Sequence, residues 1–482
     1  MFKDRTGENC QLTKNHSMKK GEVMKNLSFL TLAGVFLVGM FSGCAPHGMH
    51  AGHGSHGGKI GAPTKGMSSS DYQELVRLDP QNTMMANFEA VNGMDGYFLI
   101  DNQGEPTISV VDYNKAETIK KIKLSDPPGT SFRPAGNHHI FVIPGGRYAW
   151  SSQRYEKDVM WTIDLATHEV VDTFQLSMDG KTIKAPLHIG FAYKSPLAVT
   201  GNILDKKKGY LTFLRTDTRR PSHIVDLSCP GARDAMFTFD DSKVFTTCQQ
   251  EPKGVSIVDV AGRKEIKFIP IKGGRAGGMT VDGKYFLVGA SKAVVLIDTV
   301  TNEIHKTIKV PGGGGNFTCL PDGSKCYNGL RKDNSVAVID MASLELIKVI
   351  KTGKNGNRLY LNPANPKYGI FTNESGKSET VSIIDTQNDV KVIDLETGLG
   401  PHNVAFNPEG TRAIISTKKE NVATLVDTSS SDGSKWEVIT TDIDSGIENN
   451  GVRWVPSPSA IKSAMKEFDG AESQKMQIAA SE

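Results

Sequence analysis

Cysteine is scarce in this chain, with six in 482 residues, and none of them stands in a Cys-x-x-Cys or Cys-x-x-Cys-His arrangement. That excludes covalent c-type haem attachment and thioredoxin-like chemistry. Charge of one sign is equally lacking, because 56 basic residues face 53 acidic ones, a formal net charge of +3. A chain so evenly balanced has no electrostatic footprint for nucleic acid. No serine occupies a Gly-x-Ser-x-Gly elbow, so the hydrolase nucleophile is missing too. Gly376-Lys377-Ser378 has Phe371 where a phosphate loop needs its first glycine, and it falls in an inter-strand turn rather than at the opening of a helix. Lys206-Lys207-Lys208 reads as a solvated hairpin tip. Long Ala/Glu/Leu stretches are few, whereas glycine is abundant at 49 residues. Short strands and tight turns follow from that balance, and helices do not.

The chain has one long apolar run, Leu27 to Met40, preceded by Met24-Lys25-Asn26 and followed by Phe41-Ser42-Gly43-Cys44. A run of this length is short for a membrane span and reads as an export signal. The tetrad resembles the lipobox of bacterial lipoproteins, which implies that Cys44 is lipidated and becomes the first mature residue. Ala45 after it, rather than aspartate, implies the outer membrane of a Gram-negative cell, with the body of the protein facing the periplasm. Two or more acyl chains on one cysteine suffice for stable anchoring. Lys20-Gly21-Glu22-Val23 can be encoded by a ribosome-binding sequence, so translation is expected to start at Met24. Residues 1–43 are therefore upstream residues and signal, and Cys10 and His16 carry no function.

Residues 44–80 read as a tether. His47, His50, His53 and His56 recur at every third position among glycines, a flexible segment whose imidazoles offer a loose, pH-dependent site for copper, nickel or zinc, or else serve only as a spacer.

From about 81 to 456 a single unit repeats. A strand core ending in aspartate appears as Ile108-Ser-Val-Val-Asp112, Met160-Trp-Thr-Ile-Asp164, a degenerate copy from Leu211 to Asp217, Val255-Ser-Ile-Val-Asp259, Val294-Val-Leu-Ile-Asp298, Val336-Ala-Val-Ile-Asp340, Val381-Ser-Ile-Ile-Asp385 and Thr424-Leu-Val-Asp427. From Asp259 to Asp427 the spacing is 39 to 45 residues. Each core is followed by a turn and a second strand, and most are preceded by another hairpin with a Gly/Pro/Asp turn. Four antiparallel strands per repeat of this size make an all-β protein, a β-propeller blade repeated eight times, or seven if the first copy is a fragment. Gly451-Val-Arg-Trp-Val455 follows the last full repeat and suits pairing with the first blade; residues 457–482 are a short tail. The repeat pattern resembles YVTN-type propellers over about residues 84 to 440.

Cys319 and Cys326 flank a hairpin turn and are placed opposite each other, within disulfide reach. Cys229 and Cys248 belong to one blade and are a second expected pair. Both agree with an oxidising compartment.

The first residues of each inner strand should face the central channel. Those positions hold Asn137-His138-His139, Leu187-His188, Arg233-Asp234, Gly277-Gly278, Gly315-Asn316, Asn357-Arg358 and Pro401-His402-Asn403. His138, His139, His188 and His402 thus converge from different blades, a pattern for binding a metal ion or haem. The hairpin from Asn137 to Tyr148 resembles the His-His and Gly-Arg-Tyr hairpin of the nitrous oxide reductase propeller, which implies copper on these histidines. It also resembles the hairpin carrying the axial histidine in cytochrome cd-type nitrite reductases, which implies d-type haem. The chain departs from both families in presenting Arg233, Gly278, Asn316 and Arg358 where those enzymes, and the related thiocyanate dehydrogenase, place histidines. Three functions follow as expectations: a non-catalytic binding or accessory protein, with a periplasmic protein partner, in metal, haem or respiratory-enzyme maturation; a redox enzyme using copper or d-type haem; and a protein-interaction platform.

The anchor is directly testable. Cys44→Ala should move the protein from the membrane pellet to the soluble fraction after a salt wash, because attachment depends on acyl chains at that residue. Retention of the variant in the pellet would refute lipidation.

Overall fold

In the computed structural model, residues 95–124, 136–144, 146–153 and 158–462 are described. Cys44 and the tether histidines His47, His50, His53 and His56 lie outside them. Thirty-two strands occur among the described residues, from β1 (Gly96–Asn102) to β32 (Asn449–Pro456), and they form eight four-stranded antiparallel sheets. Eight blades are present, so the seven-blade alternative is overturned: the first copy is completed by β32, which pairs with β1 antiparallel, Phe98 opposite Trp454. The order in that blade is β3 (Glu117–Lys123), β2 (Thr107–Asp112), β1, β32, so the last strand of the chain is the innermost strand of the first blade. No helix among the described residues is long and apolar enough to cross a membrane.

The recurring aspartate has a local cause. Asp112, Asp298, Asp340 and Asp385 each end a third strand and accept hydrogen bonds from backbone N–H groups two and three residues on, such as Val300 N at 2.9 Å for Asp298 and Ser343 N at 2.7 Å for Asp340. This side-chain turn reverses the chain into the outer strand. Four residues after the aspartates, Ala116, His168, Arg263, Asn302, Leu344 and Asp389 have φ between 51° and 60°, the left-handed residue that a hairpin of this length requires. The degenerate third copy is corrected by the structure. Its strand, β10 (Gly209–Arg215), ends on Arg215, which pairs with Arg220; Asp217 lies in the turn and accepts from Thr218 N, so the equivalent of the aspartate is Arg215.

Apolar side chains fill the spaces between neighbouring blades, as expected for stacked sheets. Phe98, Ile108, Val110, Ile140, Trp161 and Trp454 make one such layer, and Ile370, Ile383, Ile415 and Trp436 another. Outer strands alternate exposed and half-buried residues and carry lysine, as in β3 with Lys120, Lys121 and Lys123, which blunts an unpaired edge. Cys229–Cys248 and Cys319–Cys326 are both disulfides, each within one blade, and Cys319 and Cys326 are direct register partners.

Toward the axis the inner strands crowd. A Cβ on Gly451 of β32 would stand 2.7 Å from the His138 carbonyl oxygen and 2.8 Å from His139 Cα. Gly451→Ala should therefore destabilise the fold by about 1–3 kcal/mol, the usual penalty for overpacking a closed interior. Chemical unfolding with intrinsic fluorescence would read it, and unchanged stability would mean that β32 does not seat against the second blade.

Candidate functional site in the channel

The channel histidines lie on innermost strands or at their N-terminal ends. These strands are β4 (Asn137–Val142), β8 (Ile189–Phe191), β12 (Ala232–Phe237), β16 (Ala276–Met279), β20 (Phe317–Cys319), β24 (Gly356–Leu361), β28 (Pro401–Phe406) and β32. In a regular strand, consecutive side chains point to opposite faces. Here five inner strands break register near their start: between Asn137 and His139 in β4, Ala232 and Ala235 in β12, Gly356 and Leu359 in β24, Pro401 and Val404 in β28, and Asn449 and Val452 in β32. One extra residue at each bulge re-aims the backbone. His138 and His139, Asn357 and Arg358, and His402 and Asn403 consequently line the same cavity as neighbours in sequence.

The cavity has a volume of about 170 Å³ and draws its walls from blades two to eight. His138, His139 and His188 offer ligand nitrogens within 4.8 Å of one another. The His138 and His139 ring centroids are 4.2 Å apart, and those of His139 and His188 are 5.1 Å apart. His402 stands alongside, 6.4 Å from His138 between centroids. Thus all four histidines read from the sequence reach one place, three as a tight cluster and the fourth beside it. His168, His223 and His305 do not join them: His168 occupies a turn, and the other two lie on outer strands.

Behind the rings stand polar partners that fix their orientation. His188 Nδ1 lies 2.5 Å from Asp234 Oδ1, while Asp234 Oδ2 accepts from Arg233 Nη1 at 2.6 Å and from Gly277 N at 3.0 Å. His138 Nδ1 lies 3.1 Å from Gln103 Oε1, which also accepts from Asn450 Nδ2 at 2.6 Å. His402 Nδ1 is 2.7 Å from Glu374 Oε1, close enough for an ion pair but without hydrogen-bond alignment. Glu374 is also paired with Lys418 at 3.1 Å and Arg331 at 2.5 Å. With Nδ1 engaged, Nε2 is left as the ligand nitrogen of His188, the arrangement in which outer partners tune metal-binding imidazoles.

Burial keeps the rings of His139, His188 and His402 neutral. Burial, and then the neighbouring His188 and His402, hold His139 well below the ordinary histidine range. Burial lowers His188 against the pull of Asp234. Burial also lowers His402 to about 4, only partly opposed by Glu374. The carboxylates stay ionised: burial alone would raise Asp234 and Glu374, but Arg233 and His188 hold the first down, and His402, Lys418 and Arg331 hold the second down. Neutral imidazole is the form a metal ion takes.

Several residues escaped the sequence reading. Gln249, Arg331, Glu374 and Lys418 each directly follow the second strand of a blade, and Arg275 directly precedes β16. Aligning the repeats on their second strands, rather than on the inner ones alone, would have found the first four. Gly277 and Gly278 give the cavity no side chain; the fifth blade contributes Arg275 instead.

The described chain is similar to several solved propellers. The structure of dihydro-heme d1 dehydrogenase NirN in complex with DHE superposes with a TM-score of 0.56 at 14% identity, covering 76% of each chain. The crystal structure of Citrobacter koseri AztD gives 0.53 at 12% identity, over 75% of this chain and 98% of that one. The Dos1 propeller gives 0.51 at 11% identity, over 70% and 94%. The likeness is one of fold. No family model and no curated protein matches the sequence.

Acid stability follows from the buried rings. His402 takes its proton near pH 4 in the folded chain but near 6.5 when unfolded. Between those values the unfolded chain binds the extra proton, so stability present at neutral pH is lost as pH falls from about 6.5 toward 4. His168, also lowered to about 4, chiefly by burial, acts in the same direction. His402→Gln should flatten this decline by about 1–3 kcal/mol at pH 4. Urea titrations at pH 7, 6, 5 and 4 would show it; parallel pH profiles for wild type and variant would contradict the burial of a neutral ring.

Proposed function

We propose that this chain is a lipid-anchored, periplasm-facing binding protein that holds a transition-metal ion in its propeller channel and serves metal, haem or respiratory-enzyme maturation as an accessory. The observation that carries the reading is the cluster of His138, His139 and His188, with ligand nitrogens within 4.8 Å and Asp234 behind His188. An all-imidazole donor set suits copper, zinc or nickel, and copper is the metal that the His-His hairpin implies. The export signal and lipobox motif support the cellular address.

A d-type haem fits less well. The cavity of about 170 Å³ is below the roughly 300–1,000 Å³ of pockets that enclose drug-sized ligands, and a tetrapyrrole is larger than those. NirN, whose structure holds DHE, shares the fold with this chain, which supports no more than a common scaffold. A copper-dependent redox enzyme is the second reading, favoured by the space left beside the histidines for a small reactant.

The test is metal analysis of the full chain purified from its own host, with His47, His50, His53 and His56 changed to serine so that the tether contributes nothing. About one metal ion per chain is expected. His138→Ala with His188→Ala should abolish retention through dialysis, and Asp234→Asn should weaken affinity about 10- to 100-fold, the usual effect of removing a ligand's outer partner. Metal-free protein with intact channel histidines would sink the metal reading and leave a protein-interaction platform.

A further inference from the structure

We propose that the guanidinium groups around the same cavity form an anion seat, built for one small oxyanion or carboxylate beside the histidine cluster. This rests on reading the channel end as a ligand site, but not on the presence of metal.

Arg233, Arg275, Arg331, Arg358 and Lys418 all line the cavity, and they come from five successive blades. Among the described residues, two carboxylates stand against these five cations, Asp234 and Glu374, and both are engaged: Asp234 by Arg233 and His188, Glu374 by Arg331 and Lys418 as well as His402. Counting only these arginine, lysine and carboxylate side chains, the described lining carries a formal excess of three positive charges. Arg275 shows the imbalance most plainly. Its Nη1 donates to the Gly314 carbonyl oxygen at 3.0 Å, and among the described residues no carboxylate lies within ion-pair distance of it. Burial, and then repulsion from Arg233 and Arg331, lower it to about 10, so it remains charged at neutral pH.

Like charges gathered in a cavity oppose folding, and a structure that retains them commonly does so for a ligand of opposite sign. The guanidinium fork matches the geometry of carboxylates and oxyanions, where two parallel N–H···O bonds form. The cavity volume limits the ligand to a compact anion.

Calorimetry on the full chain, both chelator-treated and metal-loaded, tests the seat with phosphate and nitrate as inorganic probes and acetate and succinate as carboxylates. Saturable binding of either class at one site per chain is expected, and the class that binds tells oxyanion from carboxylate. Arg275→Met should weaken it about tenfold or more, the effect of losing a charged hydrogen bond. Arg275→Lys should keep part of it, and Lys123→Met on the outer strand β3, which is exposed and away from the cavity lining, should change nothing. If Arg275→Met fails to fold, Arg358→Met gives the same reading. The proposal is overturned if neither class binds either form of the wild type, or if folded Arg275→Met and Arg358→Met bind as the wild type does. If the protein purified from its own host carries no ion by metal analysis and yet binds these anions, the metal reading alone is sunk and the anion seat stands.

Discussion

Eight inner strands crowding about one axis set the terms for everything else in this molecule. Where they meet there is no room for ordinary side chains on every residue, and the backbone responds in two ways. It places glycine at close approaches: a Cβ on Gly329 would collide with the Asn357 carbonyl, as one on Gly451 would with that of His138. It also breaks register, inserting one residue near the start of β4, β12, β24, β28 and β32. The bulges relieve the crowding and put consecutive residues such as His138 and His139 into one cavity. Packing and chemistry at the channel end therefore have a common origin.

Much of the architecture was legible because each blade must solve the same turn problem. The aspartate that ends the third strand is selected by backbone N–H groups in need of an acceptor, and so it survives in the sequence as a visible mark. Where that acceptor moved, at Asp217, the reading misplaced the strand end by two residues. The blade count was left open because the first blade is assembled from the two ends of the chain, and only the pairing of β32 with β1 settles it. The disulfide between Cys319 and Cys326 was readable from hairpin register, since opposite positions bring the two sulfurs together.

The site was half legible. Histidines announce themselves, and inner-strand positions located all four. The cationic wall did not, since arginine and lysine are common on any surface and only the fold shows that Arg331 and Lys418 turn inward at the ends of second strands. Nor could Glu374 be singled out, although it holds Arg331, Lys418 and His402 together. The electrostatic result is a cavity in which His139, His188 and His402 are neutral, the carboxylates stay ionised and, among the described residues, the positive charges outnumber the negative.

The closure of the ring has a kinetic consequence. Gln103 and Asn450 meet across 347 residues of sequence, yet the entropy of closing a loop grows only logarithmically, by about 0.6 kcal/mol for each doubling of length. Distance along the chain is thus a modest thermodynamic burden and chiefly a matter of timing. Until the final strand emerges, the first blade has three strands, β1 keeps an open edge, and the layer around Phe98 and Trp454 is unsealed. A chain released before residue 449 would present a bare apolar strand edge of the kind that recruits other copies. The blade next to the channel histidines is thus finished by β32, so the ring around the cavity closes only once residues 449–456 are in place.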